Sequence, residues 1–337
     1  MTSKAIKEKA LQLGFSACGI IPAEPFEEYR EALDSRVKVF PEAESVYTPL
    51  YGFINPPQGA KSIIVCIAGY NQFKVPEKLA KYVGKHYLFD GRLEYTEEFR
   101  VKAEFTTFLK NAGIDVLSRE TPDRIAAVKA GLGYFGRNNF FYTEEHGSYN
   151  IIHSWVVDAA LDYDTVCELN IPAKCSEKCL ACVRACPTNA LCDSLKMNRA
   201  KCIPHMLTDT KNPPNPLEAE TEKSGIWLYG CDVCQDVCPM NRGKLTQAED
   251  FPLLTQYEEY MQPENILEMD DKTYREIINP RFWYIGKENI WLWKCNALRA
   301  IINSGDEKHH PLIKKYSTHE DPRLQAIAQW GCEKLGL

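Results

Sequence analysis

Two runs of closely spaced cysteines, CSEKCLACVRACP at residues 175–187 and CDVCQDVCP at 231–239, constrain this 337-residue chain more than any other feature. Thiolates in Cys-x2-Cys spacing wrap one cubane iron–sulfur cluster, and a further Cys followed by Pro turns away to serve a second. Cys179, Cys182 and Cys186-Pro187 match the last part of that pattern; Cys231, Cys234 and Cys238-Pro239 repeat it, and Cys202 stands between as an eighth ligand. Two-cluster logic assigns one [4Fe–4S] cluster to Cys175, Cys179, Cys182 and Cys238. The other falls to Cys186, Cys202, Cys231 and Cys234. The first spacing is one residue long, Cys175-x3-Cys179, with Ser176 where the ferredoxin pattern has Cys. A bulge would still bring Cys175 to iron, and Cys167 or Cys192 are the possible substitutes. A pair of zinc sites is the competing reading, but zinc needs neither Cys-Pro endings nor an interlocked third cysteine.

All but four of the fourteen cysteines fall between Cys167 and Cys238. A disulfide framework would spread them, whereas clustered thiols point to metal or catalysis. The remaining four, Cys18, Cys66, Cys295 and Cys332, sit in apolar stretches and read as small buried side chains. The opening MTSKAIKEKALQLGF has no apolar leader, and the longest apolar run, Ser62–Tyr70, is too short to cross a bilayer. A cytoplasmic location without membrane partners follows as the expectation. A net charge of −6 argues against broad nucleic-acid binding, which wants excess Lys and Arg.

Three segments follow from periodicity. Residues 1–165 alternate helix and strand: Ser3–Leu13 is amphipathic with Gly14 as its stop, Ser62–Tyr70 and Asn150–Val157 are strands, and Glu97–Asn111 and Pro122–Ala130 are helices. Residues 166–250 are rich in Cys and Pro, with KNPPNP at 211–216 a loop. Residues 251–337 read as helical, with amphipathic stretches at Asn296–Asn303 and Asp321–Lys334 around a solvated turn at His309 and His310. The expected class is α+β, with a double-cluster segment and a short helical C-terminal region.

With the clusters placed, the flanking residues resemble a known family. GLGYFGRNNFFYTEEHGSY at 131–149, CIPHMLTD at 202–209, YGCDVCQDVCPMN at 229–241, LGFSACGI at 13–20 and SIIVCIAGY at 62–70 are similar to the epoxyqueuosine reductases. The resemblance implies a nitroreductase-like N-terminal domain, a ferredoxin-like double-cluster domain and HEAT-like helices. It also implies a cobalamin held without a histidine lower ligand, since the chain has no Asp-x-His-x-x-Gly pattern. Clusters reduced by an external low-potential donor would take Co(II) to Co(I) for attack on an electrophilic carbon. The corrinoid surface would come from Gly131, Gly133, Arg137, Asn138, Gly147, Ser148, Tyr149 and His205.

One departure from the family bears on function. Its catalytic Asp opens an Asp-Thr-Gly-Pro-x-x-Glu-Arg stretch, and an ungapped alignment on Asp123-Arg124 puts Leu117 at that position. Leucine cannot deliver a proton. Glu120, His153, Tyr142 and Tyr149 are the replacement donors to test, and Arg137 stands where the family has Lys. The helical region is also shortened and leans acidic, which disfavours tRNA. Three readings result: a corrinoid and iron–sulfur reductase of another small-molecule or modified-nucleoside electrophile, a true epoxyqueuosine reductase with a relocated acid, and a ferredoxin-like carrier with no active site.

Overall fold

The computed structural model describes residues 2–91, 96–169, 175–193, 195–210 and 222–337. Its strands are β1 (Ala17–Pro22), β2 (Ser62–Gly69), β3 (Val116–Ser118), β4 (Tyr134–Phe135), β5 (Phe141–Tyr142), β6 (Asn150–Val157), β7 (Leu191–Asp193) and β8 (Lys196–Met197). The main sheet runs β1-β2-β6-β3 and is antiparallel throughout; β4-β5 and β7-β8 are separate hairpins. The chain is α+β, as its sequence led us to expect.

The unbroken apolar run in β2 has a physical cause: both faces of the sheet are covered. Side chains alternate across a strand, so Ile63, Val65 and Ile67 pack with Val156 and the Ile125–Val128 stretch of the helix Asp123–Lys129. On the other face Ile64, Cys66 and Trp155 meet Ile6 and Ala10 from the helix Ser3–Gln12 and Phe105 and Leu109 from the helix Glu97–Asn111. The first of these helices starts where Thr2 accepts the Ala5 N–H at 3.3 Å. The helix Asp123–Lys129 starts beside Pro122, which fixes its entry, and sets Asp123 against Ser154 of β6.

The C-terminal helices Ile290–Ser304, His310–Tyr316 and Pro322–Leu335 share a core with Leu79, Leu88, Leu228 and Tyr229. Asn296, with no exposed surface, donates to the carbonyls of Leu207 (2.9 Å) and Leu228 (3.2 Å), and Trp293 stacks on Tyr229 at 5.0 Å. The solvated turn expected at His309 and His310 is not there. His309 is buried and His310 opens a helix, because Ile313 and Tyr316 belong to the core and Tyr316 donates to the Leu267 carbonyl at 2.8 Å. The KNPPNP loop lies outside the described residues. Among the described residues, no helix is long and apolar enough to cross a membrane.

Candidate active site

The fold draws the eight cysteines into two foursomes. Burial raises the Cys182 thiol, and so do the neighbouring sulfurs of Cys238, Cys175 and Cys179. Cys175 is likewise raised by burial and by Cys238 and Cys179, so the extra residue at Ser176 does not remove it from the group. In the second set, burial raises Cys234, followed by the sulfurs of Cys202, Cys231 and Cys186. Burial pushes Cys202 up to about 11, with Cys186 adding to it, and pushes Cys231 up to about 12, with Cys202 and Cys186 adding. Cys167 and Cys192, the substitutes, are exposed. Among the described residues no three metal-binding side chains converge as they would on a single ion. Four thiols in each set is the number that a [4Fe–4S] cubane takes.

A cavity of about 760 Å³ adjoins the second foursome. Cys186, Cys202, Cys231 and Cys234 all line it, while Cys175, Cys179, Cys182 and Cys238 do not. The second set is therefore inner and the first outer. The same cavity is lined by Arg119, Glu120, Asp123 and Arg124, around the start of the helix Asp123–Lys129. Arg124 sits deep in the fold yet exposes its surface to the cavity, donating to the Asn139 carbonyl at 2.8 Å with its guanidinium 5.3 Å from the Phe140 ring centre.

Asp123 is the cavity group that sequence reasoning missed. Its Oδ1 accepts from Ser154 (2.7 Å) and Thr121 (2.8 Å), and Oδ2 takes no hydrogen bond among the described residues. Burial outweighs those two hydroxyls and the nearby Arg124 and Arg119, and pushes the carboxyl up to about 6. In the sequence it served only to anchor an alignment. The available signal was its place at the first turn of a helix, facing strand β6.

The residues singled out from the sequence divide. Asn138, Ser148, His205, Glu120 and His153 line the cavity. His205 has its Nε2 3.5 Å from Asp209, and burial, with Arg199 beside it, lowers its pKa. The His153 ring also packs edge-on to Phe15 at 5.9 Å. Gly131 and Gly133 line a different cleft, of about 420 Å³, with Thr143–His146. Arg137 does not line the cavity; its N–H lies 3.4 Å from Cys175 Sγ. Tyr149 and Tyr142 are buried away from it, Tyr149 edge-on to Tyr70. Gly147, at φ +59, lets protein rather than a planar ring approach: a Cβ there would stand 2.4 Å from Asn241 Oδ1, which accepts the Ser148 N–H at 2.9 Å. Leu117 is 40% exposed and outside the cavity.

Residues 174–241 match the family model of a 4Fe–4S double cluster binding domain. An epoxyqueuosine reductase of Cellulophaga algicola is 30% identical over 293 residues, covering 83% of this chain and 90% of that protein. The chain belongs to the epoxyqueuosine reductase family. A second epoxyqueuosine reductase, from Leadbetterella byssophila, is 32% identical over 252 residues, 71% of this chain and 80% of the relative. A crystal structure of epoxyqueuosine reductase with a tRNA-Tyr epoxyqueuosine-modified tRNA stem loop superposes with a TM-score of 0.77 at 23% identity. It covers 99% of this chain and 90% of that one, which establishes the shared fold. As an epoxyqueuosine reductase family member the chain is an oxidoreductase, and the family's cofactors are two [4Fe–4S] clusters and a cobalamin. The residues present fit that set: two thiol foursomes, and a cavity at the upper end of the usual ligand-pocket range with one foursome in its wall.

Proposed function

We propose that this chain is a cobalamin- and iron–sulfur-dependent reductase that opens the epoxide of epoxyqueuosine, with Asp123 supplying the proton that Leu117 cannot. One observation carries the reading: a single cavity is lined both by the four cysteines of the inner foursome and by a protonatable carboxyl. The names of the relatives support the substrate.

Asn138, Ser148 and His205 would hold the corrinoid against the inner foursome. When bound, a cobalamin supplies a strong two-electron nucleophile, recharged through the clusters from an external low-potential one-electron donor. The rest is done by the chain's own groups. Ser154 and Thr121 fix Oδ1, so the acidic proton resides on Oδ2. As a substrate C–O bond breaks, its oxygen takes that proton and becomes a hydroxyl. Asp123 is reprotonated from solvent through the cavity, and the second C–O cleavage releases water. Two electrons and two protons thus convert an epoxide into an alkene and water.

A second reading, reduction of another electrophile, is favoured by the exposure of Leu117 and by the acidic lean of residues 255–337, where tRNA contacts would want base. Turnover of epoxyqueuosine-containing tRNA by reduced, fully loaded protein decides between them. The expected result is turnover that falls about 10²–10⁴-fold in Asp123→Asn, the usual range for a general acid. No product from a protein with full iron and cobalt would sink the first reading and leave the second.

A further inference from the structure

The β4-β5 hairpin performs a task for the outer foursome that neither the cysteine spacing nor family membership assigns. Tyr142, at the end of β5, is fully buried, and its hydroxyl donates to Cys238 Sγ at 3.2 Å. Asn138 Nδ2 donates to the same phenol oxygen at 2.8 Å. With that lone pair occupied, the phenol's own hydrogen is directed at the sulfur, the one acceptor it has among the described residues. The ring has little freedom to leave. Tyr134 stacks on it with centroids 6.2 Å apart and planes 5° from parallel. Gly136 makes the space, since a Cβ there would stand 2.5 Å from Tyr142 Cε2.

We propose that Tyr142 sets the potential of the outer cluster: its hydrogen bond to Cys238 makes that cluster easier to reduce than its four thiolates alone would. A reduced cluster carries extra negative charge, and a donor on a ligating sulfur stabilises that charge; hydrogen bonds to the sulfurs are among the factors that fix such potentials. None of the outer foursome touches the cavity, so Tyr142 acts on electron supply and not on the substrate. The donor is held by tertiary packing of a hairpin that lies outside both cysteine runs in the sequence, which is why cysteine spacing alone does not reveal it.

The test is an anaerobic redox titration followed by electron paramagnetic resonance on protein with its full iron complement. Tyr142→Phe removes the hydroxyl and keeps the ring; one of the two cluster midpoints shifts negative and the other stays. Site-specific replacement of Tyr142 by 3-fluorotyrosine keeps the shape and strengthens the donor; the same midpoint shifts positive. Unmoved midpoints in both proteins overturn the proposal, as does an equal shift of both midpoints in Tyr142→Phe. Should the Phe protein fail to hold iron, the fluorinated protein decides alone, and an unmoved midpoint there overturns the proposal. No substrate enters the measurement, so its outcome is independent of the epoxide reading.

Discussion

Asp123 loses hydration on folding and gains two hydroxyl donors, and the loss is the larger effect, since its pKa is pushed up to about 6. Its protonated fraction falls as pH rises through that value. If it is the acid, turnover falls about tenfold per pH unit above about pH 6, and Asp123→Asn lacks that limb along with most of the activity. The same carboxyl costs the fold something. Between its ordinary value of 3.8 and about 6 the folded chain keeps a proton that the unfolded chain has released, so stability declines as pH rises through that window. A rise of that size corresponds to at most about 3 kcal/mol above pH 6. Cofactor-free Asp123→Asn should therefore resist urea better than wild type at pH 8, by about 1–3 kcal/mol, and lose that advantage near pH 4. Equal stability at both pH values would show that the shift is absent. None of this was legible in the sequence. Leu117 was found because the position before a Gly-rich loop can be counted. Asp123 escaped because its environment is made by Ser154, on a strand that nothing local pairs with it.

At the scale of elements, the cysteine runs were legible because cluster chemistry fixes spacing within a few residues. The elements that hold those runs in place were not. Lys85 is an example: its N–H and its ammonium both reach Asp232 (2.8 and 3.1 Å), and the ammonium also reaches Asp236 (2.8 Å). Their side chains are 14% and 3% exposed for Lys85 and Asp232, so the pair is screened little by solvent. Lys85→Met would strand a buried carboxylate between Cys231 and Cys234 at a cost of about 3–5 kcal/mol. The expected outcome is a protein that melts earlier and loses its inner cluster to a chelator before its outer one. Loss of both together would mean that the pair stabilises the whole segment. The Gly-rich loop also changes meaning here. Gly133 and Gly136 pack against Phe141 and Tyr142, the Arg137 N–H faces Cys175 Sγ, and Asn138 borders the cavity while its amide holds Tyr142.

Across the whole molecule the inner foursome and the Asp123 carboxyl share one cavity, and the outer foursome stands outside it. Anaerobically purified protein should contain about eight irons and take up one cobalamin, counted by metal analysis and absorption. Eight irons without cobalamin uptake would count against both enzyme readings and favour an electron carrier. The class and the helical C-terminal region were legible because burial imposes periodicity; His309 was misread because two polar residues in a row hide the helix that follows them. The interlocking of the cysteine runs also has a consequence for biosynthesis. Cys238 of the second run neighbours the outer set and Cys186 of the first neighbours the inner one, so on the ligand assignment proposed for them each cluster draws on both runs. A ribosome that has released only the first run offers neither cluster a complete set of ligands. On that assignment the inner cluster must wait until residue 234 has emerged and the outer until residue 238, and a chain truncated between the runs would be left with thiols exposed to oxidation.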